Sequence, residues 1–102
     1  MTEQEIEQAI IAKGLTAPRL SPDKIDSLIK YVEYWRVPNT TTTVCAMVLQ
    51  NNYVVIGKSA SVSMANFNEE LGRQIAYRDA REQIWALEGY NLRNELYKMG
   101  ES

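Results

Sequence analysis

Ile6, Ile10 and Ile11 recur at helical spacing behind Thr2 and Glu5, whose three-residue separation is a capping-box pattern, and Gly14 closes the segment. A second start signal follows at Ser21-Pro22-Asp23: a serine cap, proline at the first helical position and a carboxylate in the first turn. Ile25, Leu28, Ile29, Val32 and Trp35 then fall at i, i+3, i+4, i+7 and i+10. This spacing predicts a helical hairpin over residues 1–36, turning through Leu15 to Leu20 with Pro18 in the turn.

The period changes after Val37-Pro38-Asn39, because proline removes a backbone donor and biases its predecessor away from the helical region. Thr40 to Leu49 is rich in β-branched residues, Asn51-Asn52 tolerates the dihedrals of a tight turn, and Tyr53 to Ile56 is again strand-forming. The pattern predicts a β-hairpin over 40–62, its second strand running past Gly57 and Lys58 towards Val62. Two strands alone are marginal in water, and these are too apolar to leave wet. Edge pairing in a homodimer or higher homo-oligomer would complete the sheet; the alternative is a third strand within the chain from Ser59 to Ser63.

Asn66 with Glu69 repeats the capping spacing and opens a segment running from about Phe67 to Met99. Leu71, Ile75, Ala76, Ala80, Ile84, Leu87, Leu92 and Leu96 form its apolar stripe. Unbroken, such a helix would be nearly 50 Å long at about 1.5 Å per residue, so a bend or break near Gly89 is expected. The fold class is therefore α+β in a single domain over 1–102: helical hairpin, antiparallel β-hairpin and a long C-terminal helix bent near Gly89.

Composition narrows the chemistry. The net charge is −2, from 11 basic and 13 acidic residues with no long run of either sign, which disfavours general binding to polymeric DNA or RNA. Histidine is absent and Cys45 is the only cysteine, which closes off an intrachain disulfide, a zinc cluster and a His-dependent triad. Cys45 lies inside an apolar strand, where a thiol behaves as a small hydrophobe. No carboxylates show the spacing of a metal loop. "GKSAS" at 57–61 resembles part of a phosphate loop but lacks its first glycine at the required offset. The N-terminus lacks the basic start and apolar run of a signal peptide, and no stretch is long and apolar enough to span a bilayer, so no membrane association is expected and the cytoplasm is the expected location.

Arg73, Arg78, Arg81 and Arg93 share the last segment with Tyr77, Trp85 and Tyr90. Rings that stack on a base and guanidinium groups that hold phosphate are how small nucleotides are gripped. The competing reading is a solvated helix face, because Glu70, Asp79, Glu82, Glu88 and Glu95 are interleaved. Tyr31, Tyr34 and Trp35 offer either a stacking platform or core and interface packing. Asn39 and Thr40 to Thr43 offer an amide and hydroxyls, for ribose or phosphate oxygens or for an edge strand.

Residues 42–96 also resemble a family of small accessory proteins of tailed phages. The resemblance rests on Thr43, Cys45 and Leu49 in the first strand, Asn51 in the turn, Gly57, Ser59 and Ala60 closing the second, then Asn66, Phe67 and Gly72, Ile75 and Ala76, and Trp85, Leu87, Glu88, Gly89, Tyr90 and Leu92. This chain departs from the pattern at Asn52, where glycine is commoner, and at Asn91, where an apolar residue is commoner. The arrangement of elements is similar to that of phage anti-defence proteins that sequester cyclic ADP-ribose signals of Thoeris immunity, some of which also hold cyclic oligonucleotides. Those proteins are of similar size, oligomeric and non-catalytic.

The resemblance implies a non-enzymatic phage protein that binds a small cyclic nucleotide at a subunit interface in the host cytoplasm, with no cofactor and no metal. Phe67, Arg73, Tyr90 and Arg93 are the expected ligand-binding residues. The alternative is a host-takeover protein that docks on a host protein and has no small ligand.

Overall fold

The computed structural model describes residues 1–15 and 17–101. Helix α1 spans Glu3–Ala12; Thr2 accepts the Glu5 amide while the Glu5 carboxylate accepts the Thr2 amide, both at 3.1 Å, so the predicted capping box is formed. The predicted turn through Leu15 to Leu20 includes Thr16, which lies outside the described residues. Helix α2 begins as expected, with Ser21 accepting the Lys24 amide and Pro22 in the first turn.

It ends much sooner than expected. Helix α2 covers only Pro22–Ser27, and Ile29–Arg36 is a strand, β1, where the second arm of a helical hairpin was predicted. Strand β2 (Thr42–Leu49) pairs antiparallel with β1 on one side and with β3 (Val54–Ala60) on the other, giving a sheet of order β1-β2-β3. The physical reason lies in β2. It is the most buried strand, and its backbone donors and acceptors on both edges need partners that water cannot supply. The third strand thus comes from within the chain, but from before the hairpin rather than from Ser59 to Ser63.

Two asparagines supply the left-handed dihedrals of the connections: Asn39 at φ 62° between β1 and β2, and Asn52 at φ 69° between β2 and β3. Asn52 occupies the position where glycine is commoner in the resembled pattern, and asparagine is the side chain that best tolerates that region after glycine. The Asn51 side chain accepts the Tyr53 amide at 3.0 Å, fixing the turn.

A 3₁₀ turn at Met64–Asn66 precedes α3, which runs Glu69–Lys98. The cap of α3 is Asn68, accepting the Leu71 amide at 2.9 Å, rather than Asn66. Phe67 is extended (φ −72°, ψ 131°), so the helix begins two residues later than predicted. The helix continues through Gly89, and a methyl placed there would meet no atom within 4 Å. Gly89 is therefore neither a break nor a close-packing point within the chain.

Helix α3 crosses one face of the sheet over β2 and β3. Gly72, Ala76, Ala80 and Ile84 are its buried residues, facing Cys45, Met47, Leu49 and Val55, with Ile25 of α2 closing the core. Small residues at i, i+4 and i+8 let the helix backbone come close to the strands. A methyl on Gly57 would overlap the Ala76 carbonyl oxygen and the Ala80 nitrogen. Beyond Ile84 no residue of α3 is buried, and the last four turns extend past the core.

Candidate functional site: the arginine and aromatic end of the sheet

Alternation along the strands sets which side chains face α3. Register pairs Arg36 with Thr43 and Thr43 with Ser59, one row nearer the end of the sheet than Tyr34, Cys45 and Gly57. The core face therefore finishes in a polar row, Arg36, Thr43 and Ser59, beneath the first turn of α3. Ser59 donates to the Gly72 carbonyl at 2.9 Å, and a methyl on Gly72 would stand 2.9 Å from Thr43 Oγ1. That Thr43 hydroxyl is buried and has no hydrogen-bond partner among the described residues.

Two guanidinium–ring pairs close this end. Arg36 lies over the Phe67 ring, 5.0 Å from its centroid, and Arg73 over the Tyr34 ring at 5.6 Å. Tyr34 and Arg36 are two residues apart on one face of β1, roughly 7 Å along the strand, so the four side chains form one patch. Burial against the sheet pushes the Tyr34 hydroxyl above its ordinary pKa, with the neighbouring Cys45 adding to the effect. Tyr34 stays neutral in any physiological buffer and serves as an apolar ring with a hydrogen-bonding tip.

From Tyr34 and Arg73 the patch continues into an open cleft of about 1070 Å³ between α1 and α3, lined by Glu3, Tyr77, Arg78 and Arg81 among others. Arg81 is committed to structure: it bonds Glu3 on α1 and Asp26 on α2, the latter at 2.9 Å. The hydrogen bond from Arg81, reinforced by one from Trp85, holds the Glu3 carboxyl below its usual range. Burial disfavours the charged form of Arg81, but Glu3 and Asp26 together hold its pKa above the ordinary value. The other guanidinium groups are freer. Arg36 and Arg78 have no ion pair among the described residues, and the partner of Arg73 is Glu69, an exposed i, i+4 contact at 3.3 Å. Such a pair contributes about 0.5 kcal/mol and yields readily to a better anion.

Of the four residues expected to bind ligand, the structure brings Phe67 and Arg73 together and separates Tyr90 and Arg93 from them. Along the continuous helix Tyr90 lies roughly 26 Å, and Arg93 roughly 30 Å, beyond Arg73. Arg93 bonds the Glu101 carboxylate at 3.4 Å, and Tyr90 is exposed. One chain cannot gather all four into one pocket. Arg36 was not among the expected site residues, and Tyr34 entered only with Tyr31 and Trp35 as a stacking platform, which the strand splits: Tyr34 faces α3, and Tyr31 and Trp35 lie on the other face of the sheet. Trp85 packs at the edge of the core.

A family model matches residues 20–96, from the start of α2 to the last turns of α3, and so takes in the whole sheet and the arginine–aromatic patch. The chain belongs to the Phage protein (N4 Gp49/phage Sf6 gene 66) family. The match leaves α1 outside the family's common part, although α1 supplies Glu3 to the Arg81 bond. This Gp49 family member is thus a bacteriophage protein whose shared segment carries Tyr34, Arg36, Phe67 and Arg73. No curated protein and no solved structure matches it. Among the described residues no cluster of metal-ligating side chains is present, and no helix is long and apolar enough to cross a membrane.

Proposed function

We propose that the protein is a non-catalytic phage anti-defence factor that sequesters a small cyclic nucleotide immune signal, of the cyclic ADP-ribose type or a cyclic oligonucleotide. It would act in the cytoplasm of the infected host as a homo-oligomer. The observation that supports this reading is the pairing of Arg36 with Phe67 and of Arg73 with Tyr34 at the open end of the sheet. Rings give a base a stacking surface, and guanidinium groups present paired donors that fit phosphate oxygens. A cyclised nucleotide has no terminal phosphate to hold, so two arginines on adjacent rings suit it better than a glycine-rich phosphate loop. The patch is open to solvent on one side, and a second subunit is the natural lid. Tyr90 and Arg93 belong to such a site only as a neighbouring subunit's contribution.

Titration calorimetry with a panel of cyclic ADP-ribose isomers and cyclic oligonucleotides tests the reading. The expected result is saturable heat with at least one of them and recovery of that ligand intact after heat denaturation of the complex. No heat with any member of the panel overturns it. A second reading, docking on a host protein without a small ligand, is favoured by one observation: Tyr90 and Tyr97 stand 69% and 70% exposed on the projecting end of α3. A stoichiometric protein partner from host lysate, together with a silent calorimetric panel, would select it.

A further inference from the structure

Helix α3 covers one face of the sheet, and the other face is apolar. Tyr31 and Trp35 on β1 and Val54 and Ile56 on β3 are each between 45% and 52% exposed there, flanking Val44, Ala46 and Val48 of β2. No described helix packs on this side. A contiguous apolar surface of this kind marks an interface.

The exposed surface is large enough to take a second copy. The chain presents 7391 Å² to solvent, against about 5,800 Å² for a folded monomer of its length. Its radius of gyration is 16.7 Å, where about 13 Å is usual. The excess, about 1,500 Å², is of the order that one chain buries in a homodimer, and the exposed sheet face supplies part of it.

Charge placement supports a second copy in one orientation. The charged residues in the middle rows of this face are Glu33 on β1 and Lys58 on β3, at opposite edges, and neither has an ion pair among the described residues. We propose that this sheet face is the interface between two copies of the chain, packed face to face about a two-fold axis parallel to β2. That axis lays β1 of one copy over β3 of the other. Lys58 of each subunit then sits over Trp35 of its mate and beside its Glu33, so the surface is complementary to itself. Pairing through the β3 edge would have to displace two bonds from α3. Asp79 accepts the outward Lys58 amide at 2.9 Å and Gln83 donates to the outward Ile56 carbonyl at 2.6 Å. The interface does not depend on ligand binding.

Sedimentation velocity across a concentration series tests it, with far-UV circular dichroism as the control for folding. The wild type is expected to sediment as a dimer or a multiple of dimers, and Ile56→Asp as a monomer with an unchanged spectrum. Glu33→Lys should weaken association about tenfold, and Glu33→Lys with Lys58→Glu should restore it. A wild type that stays monomeric, an assembly that survives a folded Ile56→Asp, or one indifferent to Glu33→Lys overturns the proposal. The charge pair keeps the test decisive if Ile56→Asp fails to fold.

Discussion

Gly57 of β3 lies directly against the backbone of Ala80 in α3: a methyl on Gly57 would stand 2.9 Å from the Ala80 Cα and overlap its nitrogen. Atoms of the helix backbone cannot swing aside as a side chain does, so Gly57→Ala must push α3 off the sheet. The expected cost is at least about 3 kcal/mol in urea unfolding. Ala80→Gly should not rescue it, because the obstructing atoms belong to the main chain; full rescue would show that α3 does not approach the strand so closely.

Gly89 provides the contrast. It lies in mid-helix with open space around the position of its missing side chain. Gly89→Ala should therefore stabilise the chain by about 0.5–1 kcal/mol, the helix-propensity difference. A clear loss of stability would mean that another subunit's backbone comes close at this point.

For the ligand, Arg36→Ala and Phe67→Ala should each weaken binding about 10- to 100-fold by calorimetry, with melting temperature little changed because both side chains lie at the solvent side of the core. Tyr90→Ala and Arg93→Ala should leave binding within about twofold where one subunit holds the ligand alone. A tenfold loss from either would place a neighbouring α3 at the site.

The bond between Glu3 and Arg81 makes the seating of α1 dependent on pH. The Glu3 pKa is lowered in the folded chain, so its stabilising contribution is present above the ordinary carboxylate range and is lost as pH falls through the lowered value. Both solvent access to Glu3 and the competing bond to Asp26 reduce the effect, to about 0.5–1 kcal/mol. Thermal unfolding between about pH 6 and pH 3 should show Glu3→Gln converging on the wild type at the acid end. A constant difference across that range would contradict the assignment.

Cys45 is fully buried and its thiol pKa is raised, first by desolvation. Alkylation in native buffer should be slow, and its rate should follow global unfolding as denaturant is added. Rapid labelling of the folded chain would show that the core opens locally at β2.

Much of this fold is legible in the sequence where one period dominates. The capping box at Thr2 and the hairpin with its asparagine turn at Asn51 and Asn52 stand where expected, whereas of the expected α3 stripe only Ala76, Ala80 and Ile84 are buried, and Leu71, Ile75 and Leu87 face solvent because the close approach of α3 to β3 admits only small residues beside Gly72. Strand β1 is not legible, for a specific reason. Its two faces are both largely apolar, so Tyr31 and Trp35 on one side and Val32 and Tyr34 on the other erase the alternation of a half-buried strand. The polar residues left over, Lys30, Glu33 and Arg36, recur every three positions and so imitate the wet side of a helix. Losing β1 also hid Arg36 as a site residue and left Tyr34 grouped with Tyr31 and Trp35, which the strand turns to the other face, whereas Phe67 and Arg73 were visible beside the α3 start. Gly89 stands in mid-helix, where glycine is costly, yet the glycines with a packing role are Gly57 and Gly72, whose neighbours are distant in sequence and only the fold reveals.

Asp79 and Gln83, reaching from α3 to the outer backbone of β3, have one more consequence. They engage the outward Lys58 amide and Ile56 carbonyl in the middle of β3. A strand arriving at β3 would have to break both bonds before it could pair, so the outer edge of β3 is guarded against adding a foreign strand without a proline or a bulge.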